Sequence, residues 1–232
     1  EGEEGGVSGN TKGGLGLAQC GGATGVSAEN SYHYGQINAS EDWIVPEFKR
    51  LTDTIHAHGA KCTVQLTHGG RRERWDAENW LPAFSPSCRR EAIHRSFPVV
   101  MEHHDIRRVQ RDYAEAVRRA REGGMDGVEL SFQAGTLVEQ FWSPAMNFRE
   151  DEYGGSLENR VRFGLELLTE LRSLVGRDYM VGIRMPGDQM LKDGLSQPEC
   201  IEIARIYARS GMVDFISVVA AQGSDAVSSA LI

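Results

Sequence analysis

Lysine is scarce in this 232-residue chain, with only Lys12, Lys49, Lys61 and Lys192. Only Lys61 lies near a candidate strand, and at its start. A strand-end Schiff-base lysine of the kind a barrel aldolase needs is therefore excluded. Basic runs are absent, and a net charge of −8 argues against a nucleic-acid partner. No apolar stretch approaches the ~20 residues of a membrane-spanning helix, so no membrane association is expected. Cys20, Cys62, Cys88 and Cys200 are scattered and form no C-x-x-C pair. Neither a disulfide framework nor a tetrahedral metal site is expected from them. Four reduced thiols in a cytoplasmic protein are expected instead. The acidic, Gly-rich start Glu1-Gly2-Glu3-Glu4-Gly5-Gly6 lacks the basic residues and apolar run of a signal peptide. Neither His103-His104 nor the pair His56 and His58 has the i, i+4 spacing of a helical metal site.

What is present is a regular alternation. Short apolar runs at 15–20, 61–66, 126–130, 179–185 and 213–218 read as strands, the first closed by a turn at Gly21-Gly22. Helix-period segments lie between them, at 47–58, 105–122, 156–175 and 197–210. Gly59, Gly123-Gly124 and Gly211 stop three of these helices. β-α-β-α order predicts parallel strands joined by right-handed crossovers. Residues 72–100 are irregular and carry Trp75, Trp80, Pro82, Pro86 and Pro98. A loop of that length inside a compact domain is usually functional.

One string is more specific. Asn147-x-Arg149-x-Asp151-x-Tyr153-Gly154-Gly155-Ser156-x-Glu158-Asn159-Arg160-x-Arg162-Phe163 is a polar, Gly-turned loop running into a helix, with Ser156 as the N-cap and Glu158 in the first turn. It resembles the signature of the Old Yellow Enzyme-like flavin oxidoreductases, which are FMN-binding (β/α)8 barrels. Eight strands close such a barrel and five are counted here. The resemblance therefore implies α/β architecture and a partial TIM barrel, about strands two to six. Residues 1–232 would be an incomplete FMN-binding domain, lacking the first strand and the last two β/α units. Arg149, Asp151, Tyr153, Glu158 and Arg162 read as a structural network.

In such barrels ligands sit at the C-terminal strand ends. Gln65 ends the second strand and offers an amide donor and acceptor side by side. Gln65-Leu66-Thr67-His68-Gly69-Gly70-Arg71 is similar to the family string whose Gln contacts the flavin pyrimidine edge. Arg184 sits inside the apolar strand Val181-Gly182-Ile183-Arg184-Met185, where a cation needs an anionic partner. The resemblance assigns it to the flavin N1 and O2 edge. A salt bridge to Glu129, Asp126 or Asp214 is the alternative. Gly22 permits close backbone approach to a planar ring, and Gly21 serves equally well. His68 either faces the flavin or holds the long loop, and Arg71 anchors that loop.

The chain departs from the family at Ser131-Phe132-Gln133-Ala134-Gly135-Thr136-Leu137. Many ene-reductases of the family place paired His/His or His/Asn donors and a proton-donating Tyr here. This chain has Ser131, Ala134 and Thr136 at those positions. Gln133, Thr136 and His68 remain the candidate catalytic residues. The flanking text, through Gln140-Phe141-Trp142-Ser143-Pro144, looks more like the amine-oxidising branch, similar to trimethylamine dehydrogenase and N-methylproline demethylase. Phe132, Trp142, Trp75 and Trp80 are candidate aromatic faces for a methylamine cation, or core residues. The resemblance implies hydride transfer between FMN and a small substrate, an N-methylated amine, with NAD(P)H as a candidate electron donor. An ene-reductase acting on an activated alkene is the alternative, and an inactive fragment a further one. Some amine-oxidising relatives carry an iron–sulfur cluster beyond the barrel, in a region to which nothing in this sequence corresponds.

Overall fold

The computed structural model describes residues 13–30, 36–74, 81–92 and 95–219. Strand β1 (Leu17–Gly25) leads through helix α1 (Ile44–His56) to β2 (Lys61–Thr67). A long connection follows, with a 3-10 turn at Gly70–Arg72 and two short strands, β3 (Phe84–Ser85) and β4 (Val99–Val100), that pair in parallel. Helix α2 (His103–Glu122) returns the chain to β5 (Gly127–Ser131). Helices α3 (Leu137–Trp142) and α4 (Leu157–Val175) lead to β6 (Met180–Pro186). Helix α5 (Gln197–Ser210) leads to β7 (Phe215–Val219). The order β1-β2-β5-β6-β7, parallel throughout, makes one curled sheet, a half-barrel of α/β type.

Local chemistry explains the boundaries. Glu102 and Asp105 form a reciprocal capping box at the start of α2, as Ser196 and Glu199 do for α5. The Ser156 side chain accepts the Asn159 N–H at the start of α4. Gly211, with φ +65°, ends α5 in the left-handed region that a Cβ disfavours.

The core lies between the sheet and the helices. Cys62, Val64 and Leu66 of β2, Val128 and Leu130 of β5, and Val181, Ile183 and Met185 of β6 all point outward into it. They meet Phe48 and Ile55 of α1, Ile106, Val109 and Val117 of α2, and Phe163, Leu167 and Leu171 of α4. Alternate strand residues therefore face the concave side, and there they are polar: Thr63, Gln65 and Thr67 on β2, Glu129 and Ser131 on β5.

One expectation needs correction, and one open alternative is decided. Gly21-Gly22 is not a turn that closes the first strand. β1 runs on to Gly25, and its register jumps from Cys20↔Val64 to Thr24↔Leu66, so residues 21–23 bulge out of the ladder with Ala23 at φ 54°. Trp142 and Phe132 are not aromatic faces of a binding site. Both are fully buried, packed edge-on to each other (5.6 Å) and to Tyr207. Trp75 and Trp80 lie outside the described residues. Among the described residues no helix is long and apolar enough to cross a membrane.

Candidate active site

Four strands place a polar side chain at the same step from their C-terminal ends: Gln65, Glu129, Arg184 and Ser217 are each third from last. The parallel register puts Gln65 beside Glu129 and Arg184 beside Ser217. Glu129 is fully buried and is the hub. Its Oε1 accepts hydrogen bonds from Gln65 Nε2 (2.6 Å) and Gln19 Nε2 (2.6 Å), and its Oε2 accepts from Ser217 Oγ (2.7 Å). Arg184 Nη1 lies 4.0 Å from the same Oε1. The two residues assigned to the cofactor from the sequence, Gln65 and Arg184, thus converge on one oxygen. Arg184 sits beside Glu129 rather than Asp126 or Asp214. Asp126 is held by Lys61 and His56, and Asp214 by Arg172.

Arg184 Nε is buried with no hydrogen-bond partner among the described residues, while its side chain remains 38% exposed. A guanidinium with an unsatisfied buried N–H and an accessible end is suited to an anionic or carbonyl-rich ligand. Gln65 gives one N–H to Glu129, which leaves its Oε1 and second N–H for such a ligand. Gly22 lies in the β1 bulge, where residues 21–23 have left the β1–β2 ladder. The donor set fits the edge of a flavin.

Of the other candidates, His68 and Thr136 are held by protein partners. His68 is fully buried. Its Nδ1 accepts from Gly70 N (3.0 Å), so Nε2 carries the proton and donates to Glu29 Oε1 (3.1 Å). Burial pushes the Glu29 carboxyl up, but His68 and Arg108 outweigh it and hold the pKa at about 2. Thr136 is buried at the N-cap position of α3, and its hydroxyl donates to Ser131 O (2.8 Å) rather than capping the helix. Gln133 is half-buried, and its main-chain carbonyl accepts from Thr136 N.

A buried clamp joins the loops around this mouth. Gln140 Oε1 accepts from Arg71 N (3.2 Å) and Ser85 Oγ (3.1 Å). Its Nε2 donates to Gly69 O (2.9 Å) and Gly135 O (2.6 Å). Glu139 accepts from Gly135 N and Gln189 Nε2. The signature loop is similarly tied. Arg149 reaches Asp151, Pro86 O and Met101 O, Asn147 bridges Phe141 O and Tyr153 O, and Arg162 reaches Glu152 O. A surface cleft of about 600 Å³ beside that loop, lined by Cys88, His103, Phe148 and Asp151 among others, shares no residue with the strand-end site.

Sequence reasoning missed Gln19, Ser217 and the hub role of Glu129. The signal was available: each is a polar residue on the alternation of its strand, as Arg184 is.

Comparison with known proteins places this geometry. The model of the NADH:flavin oxidoreductase / NADH oxidase family matches residues 12–228. The N,N-dimethylglycine/sarcosine dehydrogenase of Chromohalobacter salexigens is 48% identical over 90% of this chain. The multifunctional alkene reductase/demethylase OYE of Caballeronia cordobensis is 44% identical over 89%. This chain spans 30% of each of those two proteins. The structure of 2-naphthoyl-CoA reductase with 2-naphthoyl-CoA superposes with a TM-score of 0.87 and 27% identity, covering 94% of this chain and 35% of that one.

Proposed function

Because the chain belongs to the NADH:flavin oxidoreductase / NADH oxidase family, we propose that it supplies the flavin-gripping strands of an FMN-dependent oxidoreductase. The five strands then correspond to strands two to six of an eight-stranded barrel. The observation that carries the reading is the convergence of Gln65 and Arg184 on the Glu129 carboxylate, with Arg184 Nε left unsatisfied. Gln65 binds the polar edge of the ring through its free amide atoms. Arg184 holds a fixed positive charge where negative charge develops on reduction, in a site partly shielded from water. The bulge around Gly22 offers main-chain groups to the same ring. FMN supplies the hydride chemistry, and a nicotinamide is the second redox partner the family description implies.

The substrate we assign is an N-methylated amine. The paired donors and Tyr that family ene-reductases place after this strand are replaced here by Ser131, Ala134 and Thr136, of which Ala134 has no side-chain donor and the Thr136 hydroxyl is spent on Ser131 O. Hydride removal from a C–H beside nitrogen requires no such pair. The first relative acts, by its name, on dimethylglycine and sarcosine. The second carries alkene reduction and demethylation in one name, so reduction of an activated alkene is the competing reading.

Anaerobic titration of the full-length holoprotein separates the two. Sarcosine or N,N-dimethylglycine is expected to bleach the oxidised flavin within seconds, while cyclohexenone reoxidises the photoreduced flavin slowly. Fast reoxidation by cyclohexenone with no bleaching by any N-methyl amine transfers the assignment to the alkene reading. A full-length protein that binds no FMN removes both.

A further inference from the structure

Glu129 poses a physical problem. A fully buried carboxylate is unfavourable unless it is well compensated, and an apolar residue of similar volume is often at least as stabilising. Here the charge is met by β1, β2 and β7, each sending one hydrogen-bond donor, while β6 brings Arg184 to 4.0 Å. A carboxylate receiving three donors can only accept. The amide groups of Gln19 and Gln65 must therefore turn their nitrogens toward it and their oxygens away.

We propose that Glu129 is the positioning residue of the flavin site: it fixes which end of Gln65 faces the ligand and offsets part of the Arg184 charge. The inference rests on the flavin reading given above and adds a specific consequence to it. The outward Gln65 Oε1 is an acceptor, suited to a ring N–H, and the adjacent guanidinium is a donor, suited to a carbonyl or ring anion. That acceptor–donor order is the complement of an imide edge. Without the carboxylate, nothing else among the described contacts of Gln65 enforces it. The same negative charge lies close enough to Arg184 to weaken its field at the reduced ring.

The test is the flavin midpoint potential, with FMN affinity, in the full-length holoprotein. Glu129→Gln keeps the shape, removes the charge and lets the Gln65 amide rotate. The expected result is a potential shifted upward, because Arg184 is no longer offset, with FMN binding weakened about tenfold for one misdirected hydrogen bond. Glu129→Asp keeps the charge and is expected to return the potential to near the wild-type value, whatever it does to stability. A merely structural staple would lower the melting temperature in both variants and leave both potentials unchanged, which overturns the proposal. Should neither variant yield holoprotein, Ser217→Ala serves. It removes one donor from Oε2, places more of the negative charge on Arg184 and is expected to shift the potential downward. No shift there overturns the proposal equally. Wild-type protein without flavin defeats the cofactor reading itself. Wild-type protein with flavin, and variants with unmoved potentials, defeats only the role of Glu129.

Discussion

Replacing Gln140 with methionine isolates the clamp at the mouth of the half-barrel. The substitution conserves volume, so no cavity is made and packing in α3 is retained. Four hydrogen bonds disappear, to Arg71 N, Ser85 Oγ, Gly69 O and Gly135 O, all within a fully buried amide site. A typical bond contributes about 1 kcal/mol net, and a buried group left without a partner is penalised by about 1–3 kcal/mol. Some of the freed groups will rearrange, so about 3 kcal/mol is expected. For a chain of this size that lowers the melting temperature by about 6–12 °C. Far-UV circular dichroism during heating measures it. Limited trypsin digestion gives a local readout, because Arg71 and Arg72 sit on the released turn. Gln140→Glu refines the test: it keeps Oε1 as an acceptor but sets an oxygen against Gly69 O and Gly135 O, and should destabilise at least as much at neutral pH. A methionine variant that melts within about 2 °C of the wild type and resists trypsin would refute the idea that this amide ties the loops together.

The acid limb of stability should carry the signature of Glu29. Its folded pKa of about 2 lies below the ordinary 4.5, so the stabilisation is present above pH 4.5 and is lost as pH falls from there toward 2. The contribution is of order 3 kcal/mol, and Glu29→Gln should flatten the stability curve over that window. Gly154→Ala should be severe, since a Cβ would lie 2.0 Å from Arg149 O, whereas Gly155→Ala meets nothing within 4 Å and carries only the left-handed penalty at φ +76°, about 1–2 kcal/mol. Urea midpoints that rank these two the other way would contradict the packing described. Alkylation with peptide mapping should modify Cys88 first, because it alone of the four thiols is exposed. Cys62 is further protected by its contact with Cys20 and by burial, both of which push its thiol pKa up, and burial pushes Cys200 up to about 12. Early labelling of Cys62 or Cys200 would show that the packing between sheet and helices opens.

The strands and long helices were legible because their apolar periodicity is strong and their ends carry caps. The predicted helix at 197–210 matches α5, and the 61–66 strand differs from β2 by one residue. Helix α3 was not legible. Its six residues carry Glu139 and Gln140, polar side chains that interrupt the apolar pattern and are buried while hydrogen-bonding loop main chain. The β1 bulge was read as a turn because two glycines in sequence favour either outcome, and only pairing with β2 decides between them. Gln65 and Arg184 were singled out through resemblance and through a charge interrupting an apolar strand. Glu129 was seen only as a counterion, because sequence does not show that four neighbouring strands aim at it. Of the two readings open for Phe132 and Trp142, binding face or core, the core one holds, because both side chains are buried against Tyr207 of α5.

The sheet's division of labour has an evolutionary corollary. Odd-numbered positions of β2 and β5 look into the mouth, and even-numbered positions hold the scaffold together. Mutation at every second residue can therefore retune chemistry while the hydrophobic shell keeps its grip, and adaptation to a new metabolite need not begin by weakening the protein that carries it.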